Sequence, residues 1–304
     1  MLLNQTAPTR RYVITVYGAT GTGKSTMSTT LPKPVILLLE RQGWESIRDA
    51  SKGKKGGPPP TFHLATIEDL RAAVTILATE KEPLRGLVKK FVPAAEQEAA
   101  LAAMPYLRPE SVAVDSISEA FRLVADGVEK EAPSKISPKS GLPVRGMDGM
   151  GVIRDRCERL LRTLRDLGDY QVLLLAQLDD REKSEGDDKV RSVGPMAPMR
   201  YLQQSIASVS NAVGITERRR VVSKEKGPND ETKMEVAWGV MFTGPDWMVT
   251  KTIHGLRDTE TQNVGAWLKR IAKSDADAKT EKPDTETKTE TENTKPATPE
   301  KESA

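Results

Sequence analysis

Consecutive residues near the start of the chain have the types and spacing needed to hold a triphosphate. After the apolar run YVITVY, the residues Gly18, Ala19, Thr20, Gly21, Thr22, Gly23, Lys24 and Ser25 match G-x-x-x-x-G-K-[ST]. The glycines let backbone N–H groups converge on phosphate oxygens, while Lys24 offers a charge and Ser25 a hydroxyl for Mg²⁺. A helix starting near Lys24 turns its N-terminus toward the same phosphates. We expect a nucleotide site from Gly18 to Thr26; a glycine-rich turn without a ligand is the alternative.

Three more polar residues each follow an apolar run that predicts a buried strand. The runs PVILLL, VAV and QVLLLA lead to Glu40, Asp115 and Gln177. Ligands of open parallel sheets bind at the carboxyl ends of the strands, so these residues are expected beside the triphosphate. There Asp115 can hold Mg²⁺, Glu40 can act as the general base, and Gln177 can sense the γ phosphate, with Lys24 completing the catalytic set. A helix cap for Asp115 and a solvated strand end for Glu40 are the alternatives.

Composition excludes several other kinds of site. The sequence has 304 residues with 37% hydrophobic content, which is enough for a large core. Its single cysteine, Cys157, rules out an internal disulfide, and with only His63 and His254 beside it we expect no zinc site. From this sequence we expect no signal peptide, and none of its apolar runs is long enough to cross a membrane. We therefore expect a cytoplasmic protein without a membrane partner.

Strands alternating with helices predict an α/β fold with a mainly parallel central sheet. We expect one domain over residues 12–272, preceded by a flexible segment at 1–11 and followed by a disordered acidic tail at 273–304. The tail has nine acidic and six basic residues and no aromatic residue, so burial cannot offset its ordering entropy. It is interpreted as a solubilising extension or, alternatively, as an acidic mimic of nucleic acid. The net charge of +3 leaves +6 on the rest of the chain.

Several segments inside the domain are predicted from local composition. Residues 151–167 carry one apolar helical face that includes Cys157, which makes this cysteine a core residue and not a nucleophile. The other predictions are an alanine-rich insertion at 80–109, loops at 132–150 and 178–200, a strand near 208–215, and a hairpin at 221–238.

The order of these motifs resembles the RecA-like recombinase core, especially the small bacteriophage RecA-like ATPases of single-strand annealing. The phosphate loop, the strand ending in Glu40, VAVDSIS and LLLAQ are similar to that family's phosphate loop, catalytic glutamate, Mg²⁺ aspartate and nucleotide-sensing glutamine. The resemblance runs from about Tyr12 to Arg257 and implies a three-layer P-loop NTPase with ATP and Mg²⁺ as cofactors. It also implies DNA-stimulated ATP hydrolysis, a homo-oligomer, single-stranded DNA as partner, and contact with a single-strand binding protein or other replication protein. The cytoplasm is that of the host cell if the protein is phage-encoded.

Two stretches, VRGMDGMGVIRDRCERLLRTLRDL and VRSVGPMAPMRYLQQSIASVS, resemble the family's two DNA-contacting loops. Their cations can neutralise phosphates, and their methionines offer adaptable apolar surface to unstacked bases. The implied DNA contacts are Lys135, Lys139, Arg145, Met147, Arg191, Met196, Met199 and Arg200. Lys251 and Arg257 resemble late basic residues that reach a neighbouring subunit's nucleotide. Solvated surface loops are the alternative. Because the phosphate-loop strand begins near residue 12, we do not expect the amino-terminal oligomerisation helix and strand of the full-length recombinases.

These observations lead to three hypotheses. The first is an ATPase that binds single-stranded DNA and promotes annealing or strand exchange in phage-type homologous recombination. The second is a nucleotide-dependent helicase loader or replication accessory ATPase that acts on a protein partner. The third is a small-molecule kinase, which ranks last because no arginine-rich lid is evident. Adenine is expected over guanine because the sequence lacks an N-K-x-D element.

Overall fold

The computed structural model describes residues 11–54, 56–131, 135–136, 143–144, 147–185, 188–226 and 232–280. The strands are β1 (Val13–Gly18), β2 (Pro34–Leu38), β3 (Thr61–His63), β4 (Ser111–Asp115), β5 (Lys135–Ile136), β6 (Pro143–Val144), β7 (Gln171–Glu185), β8 (Asp188–Pro195), β9 (Ala212–Lys226), β10 (Thr232–Met241) and β11 (Thr259–Thr261). The helices are α1 (Lys24–Ser28), α2 (Gly43–Ala50), α3 (Ile67–Thr79), α4 (Pro83–Phe91), α5 (Gln97–Ala102), α6 (Ile117–Glu131), α7 (Met147–Arg165), α8 (Arg200–Val209) and α9 (Val264–Thr280), with a 3-10 turn at Ala94–Glu96.

One large sheet organises the described part of the chain. Its strands lie in the order β11-β10-β9-β1-β7-β4-β2-β3, and β8 pairs with β7. The pairs from β9 through β3 are parallel, whereas β10 and β11 are antiparallel additions at one edge. The α/β fold with a mainly parallel central sheet is therefore confirmed. Because β1 lies between β7 and β9, the phosphate loop leaves the sheet near its middle.

Helices cover both faces of this sheet and create two hydrophobic cores. Alternation along β1 sends Val13 and Tyr17 into one core and Ile14 and Val16 into the other. The first core packs the sheet against α3, α4, α6, α7 and α8, and the second packs it against α1, α2 and α9. This is a three-layer arrangement. None of the helices in the described ranges has the length and apolar content of a membrane span.

The predicted apolar face of α7 is confirmed. Ile153, Leu161 and Leu164 are almost completely buried in the first core, and so is Cys157. Burial raises the pKa of the Cys157 thiol to about 12. The cysteine is a packed core residue, as the periodicity indicated.

The predicted loop at 178–200 is wrong. Strand β7 continues from Gln177 to Glu185, and β8 returns antiparallel to Pro195. The extension of β7 beyond Gln177 is mostly polar in sequence and therefore lacks the apolar signal of a buried strand. We call the paired segments 178–185 and 188–195 the first ribbon.

A second ribbon is formed by β9 and β10, which confirms the predicted hairpin. Strand β1 pairs with β9 only as far as Ile215, and from Thr216 onward β9 pairs with β10. We call residues 216–226 and 232–239 the second ribbon. The two ribbons leave the sheet from the strands on either side of β1, at the edge where the phosphate loop begins.

Other segment predictions need correction. The strand predicted near 208–215 is instead the end of α8 followed by β9, because Leu202 and Ile206 form a helical apolar pair. Within 132–150, strands β5 and β6 pair and α7 already starts at Met147. Helix α9 runs to Thr280, past the predicted start of the tail; residues 281–304 and 1–10 lie outside the described residues. In the 80–109 insertion, α4 buries Leu84, Leu87 and Val88 in the first core.

Candidate nucleotide site

The phosphate loop joins β1 to α1 with the backbone that this function requires. Gly21 and Gly23 have φ of 78° and 81°, in the left-handed region that residues with a Cβ rarely adopt. Gly23 is the N-cap of α1, so the helix begins at Lys24. The unpaired N–H groups at this helix start add to those of the loop. The local sequence therefore produces a concave anion-binding backbone.

Two residues from distant parts of the sequence, Thr216 and Gln262, hold the phosphate loop in place through hydrogen bonds to Thr22. Thr216 of β9 donates a hydrogen bond to Thr22 Oγ1 at 2.8 Å, and Thr22 donates to Ala19 O at 2.8 Å. Gln262, which follows β11, donates from Nε2 to Thr22 O at 2.6 Å. Sequence reasoning missed Thr216 and Gln262, because nothing near either residue marks it as a partner of Thr22.

The lysine of the loop is drawn inward. Lys24 Nζ donates to Gly18 O at 2.8 Å and to Ala19 O at 2.7 Å. Burial lowers the pKa of Lys24, and the negative charges of Asp115 and Glu40 oppose that shift. Phosphate oxygens are stronger partners for an ammonium group than neutral carbonyls are, so Lys24 is placed to transfer its bonds to a nucleotide.

Asp115, at the end of β4, has the environment of a metal ligand. It is 3% exposed, and within the described residues its Oδ2 has no hydrogen-bond partner. Burial raises the pKa of Asp115 to about 6; the Ser25 hydroxyl opposes this rise, Glu40 adds to it, and Lys24 opposes it. An orphaned, buried carboxylate oxygen next to a hydroxyl fits Mg²⁺, which prefers oxygen ligands. Asp115 and Ser25 would hold the ion.

Gly43 keeps the space around those two ligands open. A Cβ added at Gly43 would lie 3.0 Å from Asp115 Oδ2 and 3.3 Å from Ser25 Oγ. It would also lie 2.7 Å from Leu38 Cδ1, so neither the ligands nor the core side leaves room for a methyl group. Gly43 is the first residue of α2 and was not singled out from the sequence. The absence of a side chain at Gly43 leaves space in which a cation and its water would fit.

Glu40 is held at the same edge of the sheet by two side chains. Its backbone N–H donates to Asp115 O at 3.3 Å, which ties the end of β2 to β4. Gln177 Nε2 donates to Glu40 Oε1 at 2.9 Å, and the Ser116 hydroxyl donates to the same oxygen. The carboxylate is therefore oriented but bound, and a general base at this position would need one of these donors to move away.

Gln177 also connects the site to the first ribbon. Its backbone N–H donates to Ser118 Oγ at 3.0 Å, and Ser118 Oγ donates to Met196 O at 2.9 Å. The Met196 N–H in turn donates to Gln177 O at 2.7 Å. Glu40, Gln177, Ser118 and Met196 thus form one continuous hydrogen-bonded path from the site to the end of β8.

The predicted residues meet in one pocket of about 270 Å³. Lys24, Ser25, Glu40, Asp115 and Gln177 all line it, together with Thr20, Gly21 and Gly23 of the loop. The structure therefore brings together every polar strand end that the sequence indicated. Their individual catalytic roles remain predictions.

A family model described as an AAA domain matches residues 10–221. The chain belongs to this AAA domain family. It is therefore a P-loop ATPase, and the matched range contains the whole pocket while ending inside β9. Gln262, Trp267 and the rest of α9 lie beyond the matched range of the AAA domain.

The other comparisons add little to this assignment. No curated protein matches the chain at a significant level. Among solved structures, the flagellar accessory protein FlaH from Methanocaldococcus jannaschii is 9% identical, with 84% of this chain and 88% of that chain covered and a TM-score of 0.35. A likeness this loose identifies no function.

The predicted DNA contacts of the AAA domain lie in varied surroundings. Arg191 of the first ribbon binds Asp180 through Nε at 3.0 Å and Nη2 at 2.7 Å, and its guanidinium stacks 4.9 Å from the Trp247 ring centre. This partner holds the pKa of Asp180 below its usual range. Met196 is 40% exposed, and Arg200 starts α8 directly after Met199. The charge of Arg191 is thus already paired within the chain.

The other basic residues with a predicted contact to DNA or to a neighbouring subunit are Lys135, Lys139, Arg145, Lys251 and Arg257. Lys139 and Arg145 lie outside the described residues, as do the side chains of Lys135 and Met147. Lys251 Nζ donates to Ser210 O at 2.6 Å and to Ala207 O at 3.2 Å, at the end of α8. Lys251 therefore caps a helix of its own chain, which is the favourable place for a cation. Arg257 is exposed.

Proposed function

We propose that this AAA domain ATPase binds ATP with Mg²⁺, binds single-stranded DNA in a nucleotide-dependent way, and promotes annealing or strand exchange in phage-type homologous recombination. It would work in the cytoplasm as a homo-oligomer, with DNA-stimulated hydrolysis. The observation that carries the proposal is the hydrogen-bonded path from Glu40 through Gln177 and Ser118 to Met196. A path of this kind lets the nucleotide state change the position of the first ribbon.

The residues of the pocket divide the chemistry among them. Lys24 and the loop N–H groups bind the phosphates, and Ser25 and Asp115 hold Mg²⁺, which would neutralise developing charge on the transferred phosphoryl group. Glu40 can accept a proton from the attacking water once Gln177 turns away from it. A γ phosphate would offer Gln177 further ionised oxygen acceptors in competition with the Glu40 carboxylate, so Gln177 would turn toward it.

Charge and exposed rings support nucleic acid as the partner. The chain carries +6 outside the acidic tail. Within the described residues the exposed rings Tyr201, Trp238 and Trp247 each lie beneath an arginine guanidinium, at 5.7, 5.9 and 4.9 Å. Single strands are bound by such mixtures of cations and aromatic rings.

A specific feature favours the second candidate, a loader or accessory ATPase acting on a protein. At the base of the first ribbon lies a cavity of about 250 Å³. Its lining combines the apolar residues Ala125, Met196, Ala197 and Pro198 with the polar residues Ser118, Glu119, Arg122 and Gln177. A cavity with an apolar wall, whose one arginine is already paired with Glu119, suits a protein side chain better than a phosphate. The pairing of Arg191 with Asp180 points the same way.

Fluorescence anisotropy of a labelled single-stranded oligonucleotide separates the two candidates. The protein is titrated with ATP, a non-hydrolysable analogue or no nucleotide, each at low and high salt. We expect tight, salt-sensitive binding only with nucleotide, its loss in Lys24→Ala, and weakened nucleotide dependence in Gln177→Ala. Lys54→Ala serves as the matched control, because Lys54 is exposed and binds Thr29 away from the pocket. Absence of binding in every nucleotide state would refute the DNA proposal and favour the protein partner.

A further inference from the structure

A buried hydroxyl group lies beside both the proposed magnesium ligand and the proposed base. It belongs to Ser116, which follows Asp115 directly and precedes the first residue of α6. Ser116 is 1% exposed, and it lines the nucleotide pocket together with Glu40 and Gln177. Buried hydroxyl groups form specific hydrogen bonds, because burial without a partner costs free energy. The partners of Ser116 therefore indicate what its side chain does in the pocket.

The start of α6 fixes the position of the Ser116 oxygen. Ser116 Oγ accepts a hydrogen bond from the Glu119 N–H at 3.2 Å, and Ser116 O accepts one from the Ala120 N–H at 3.1 Å. These are the two bonds of a serine that caps the start of a helix. Because α6 packs along its length into the first core, the cap cannot shift without disturbing the helix. The fold itself therefore holds this oxygen in place.

The hydroxyl hydrogen of Ser116 is directed to Glu40. An ionised carboxylate only accepts hydrogen bonds, so the Ser116 hydroxyl is the donor to Glu40 Oε1. Gln177 Nε2 donates to the same oxygen at 2.9 Å. Within the described residues Glu40 Oε2 has no hydrogen-bond partner. Since Glu40 lines the pocket, Oε2 is the oxygen that remains for a water molecule.

The two donors to Glu40 Oε1 differ in how firmly they are held. Gln177 reaches Glu40 through a long, half-buried side chain, so a γ phosphate can compete for its amide. Ser116 has a short side chain that is buried, and its oxygen is bound to the start of α6. When the bond from Gln177 breaks, Glu40 is therefore still tied to Ser116.

We infer that Ser116 is a positioning residue for ATP hydrolysis: its hydroxyl holds Oε1 of Glu40, so that Oε2 faces the attacking water once Gln177 has turned to the γ phosphate. In that step the water oxygen bonds to the γ phosphorus, a water proton passes to Oε2, the bond from the γ phosphorus to the bridging oxygen breaks, and ADP leaves. This inference rests on the proposed function, because it takes Glu40 as the general base.

The consecutive residues Asp115 and Ser116 would then set the cation and the base relative to each other. The Asp115 carboxylate is the proposed magnesium ligand, and Asp115 O accepts the Leu39 N–H at 2.7 Å and the Glu40 N–H at 3.3 Å. The backbone of Glu40 is thus tied to Asp115 and its side chain to Ser116. A fixed separation of this kind keeps the water, the base and the phosphate in a reactive geometry.

Single-turnover hydrolysis of ATP with Mg²⁺, measured on the full-length protein without DNA, tests this role. Ser116→Ala removes the donor and should slow hydrolysis about 10–100-fold, while the Kd for a non-hydrolysable ATP analogue stays within about twofold. Ser116→Gly removes the same hydroxyl but is better tolerated at a helix N-cap. It should show the same loss of rate, and it replaces the alanine variant if that variant folds poorly.

Two further variants separate positioning from a structural effect. Thr66→Ala is the matched control, because Thr66 caps α3 by accepting from the Asp69 N–H at 3.1 Å and is not among the residues that line the pocket. It should lower the stability and leave the rate of hydrolysis unchanged. The double variant Ser116→Ala with Glu40→Gln should hydrolyse ATP as fast as Glu40→Gln alone, because a base that is already missing cannot be misplaced.

The outcomes distinguish this inference from the proposed function. Normal hydrolysis in the Ser116 variants, together with slow hydrolysis in Glu40→Gln, overturns the inference and leaves the proposed function standing. A further loss of rate in the double variant also overturns it, because Ser116 would then act independently of Glu40. An equal loss in Thr66→Ala would assign the effect to helix capping and has the same result. Normal hydrolysis in Glu40→Gln refutes the proposed base, and the inference with it.

Discussion

Without metal and at neutral pH, the native protein should be less stable than the variant Asp115→Asn, because the buried Asp115 carboxylate is then charged and has no metal cation beside it. Burial raises the pKa of Asp115 from 3.8 to about 6. Each unit of difference corresponds to about 1.4 kcal/mol, so the ionised group costs about 3 kcal/mol of folding free energy once the pH exceeds 6. Asp115→Asn keeps the shape of the side chain and avoids this cost.

The direction in which stability changes with pH follows from the raised pKa of Asp115. A raised folded-state pKa means that the folded protein holds the proton more tightly, so its contribution to stability is complete below pH 3.8 and disappears as the pH rises through about 6. The free energy of unfolding of the native protein, relative to Asp115→Asn, should fall by about 2 kcal/mol between about pH 4.5 and about pH 7.5. Other titrating groups are common to both proteins and cancel in the difference.

Urea denaturation at several pH values, without metal or nucleotide, measures this difference directly. Asp155→Asn removes the same formal charge from an exposed position of α7 and is the control for net charge. Adding Mg²⁺ and ATP analogue at neutral pH should then stabilise the native protein by about 2.7 kcal/mol at a hundredfold excess over Kd, and Asp115→Asn much less. A stability difference that stays constant with pH would refute the reasoning.

Three further substitutions test the pocket. Gly43→Ala places a methyl group against Asp115 and should weaken Mg²⁺-dependent nucleotide binding at least tenfold in a calorimetric titration, while metal-free nucleotide binding changes little. Thr216→Val leaves the buried Thr22 hydroxyl without its donor and should lower the free energy of unfolding by about 1–3 kcal/mol in urea and raise the Kd for ATP. Glu40→Gln should preserve ATP binding and slow single-turnover hydrolysis by about 10²–10⁴-fold; unchanged hydrolysis would remove Glu40 as the base.

The parts of the site that could be predicted from the sequence are those defined by short stretches of chain. The phosphate loop is consecutive, and its glycines, lysine and hydroxyl are visible together. Glu40, Asp115 and Gln177 could be placed at one edge because parallel strands end on the same side of a sheet. Thr216 and Gln262 could not be found, since they lie 194 and 240 residues from Thr22 and only the fold brings them near it.

The second ribbon was predicted from the sequence as a hairpin, whereas the first was predicted as a loop, and the difference has a physical reason. The second contains the turn signal Gly-Pro-Asn-Asp between two strand-like segments, so a hairpin was evident. The polar part of the first ribbon is stabilised by backbone pairing between β7 and β8, and pairing leaves no pattern in side-chain hydrophobicity. The last turns of helix α9 were instead assigned to the disordered tail that was predicted from residue 273, because they contain no large apolar residue.

The burial of Cys157 has a practical consequence for observing the ribbons. A thiol is reactive only as thiolate, and this one is fully buried with its pKa raised to about 12, so it should resist labelling reagents in the folded protein. It is also the single cysteine in the sequence. Cysteines introduced into the two ribbons would therefore be the reactive thiols of an otherwise natural chain. A pair of spin labels attached there would report the distance between the ribbons in each nucleotide state.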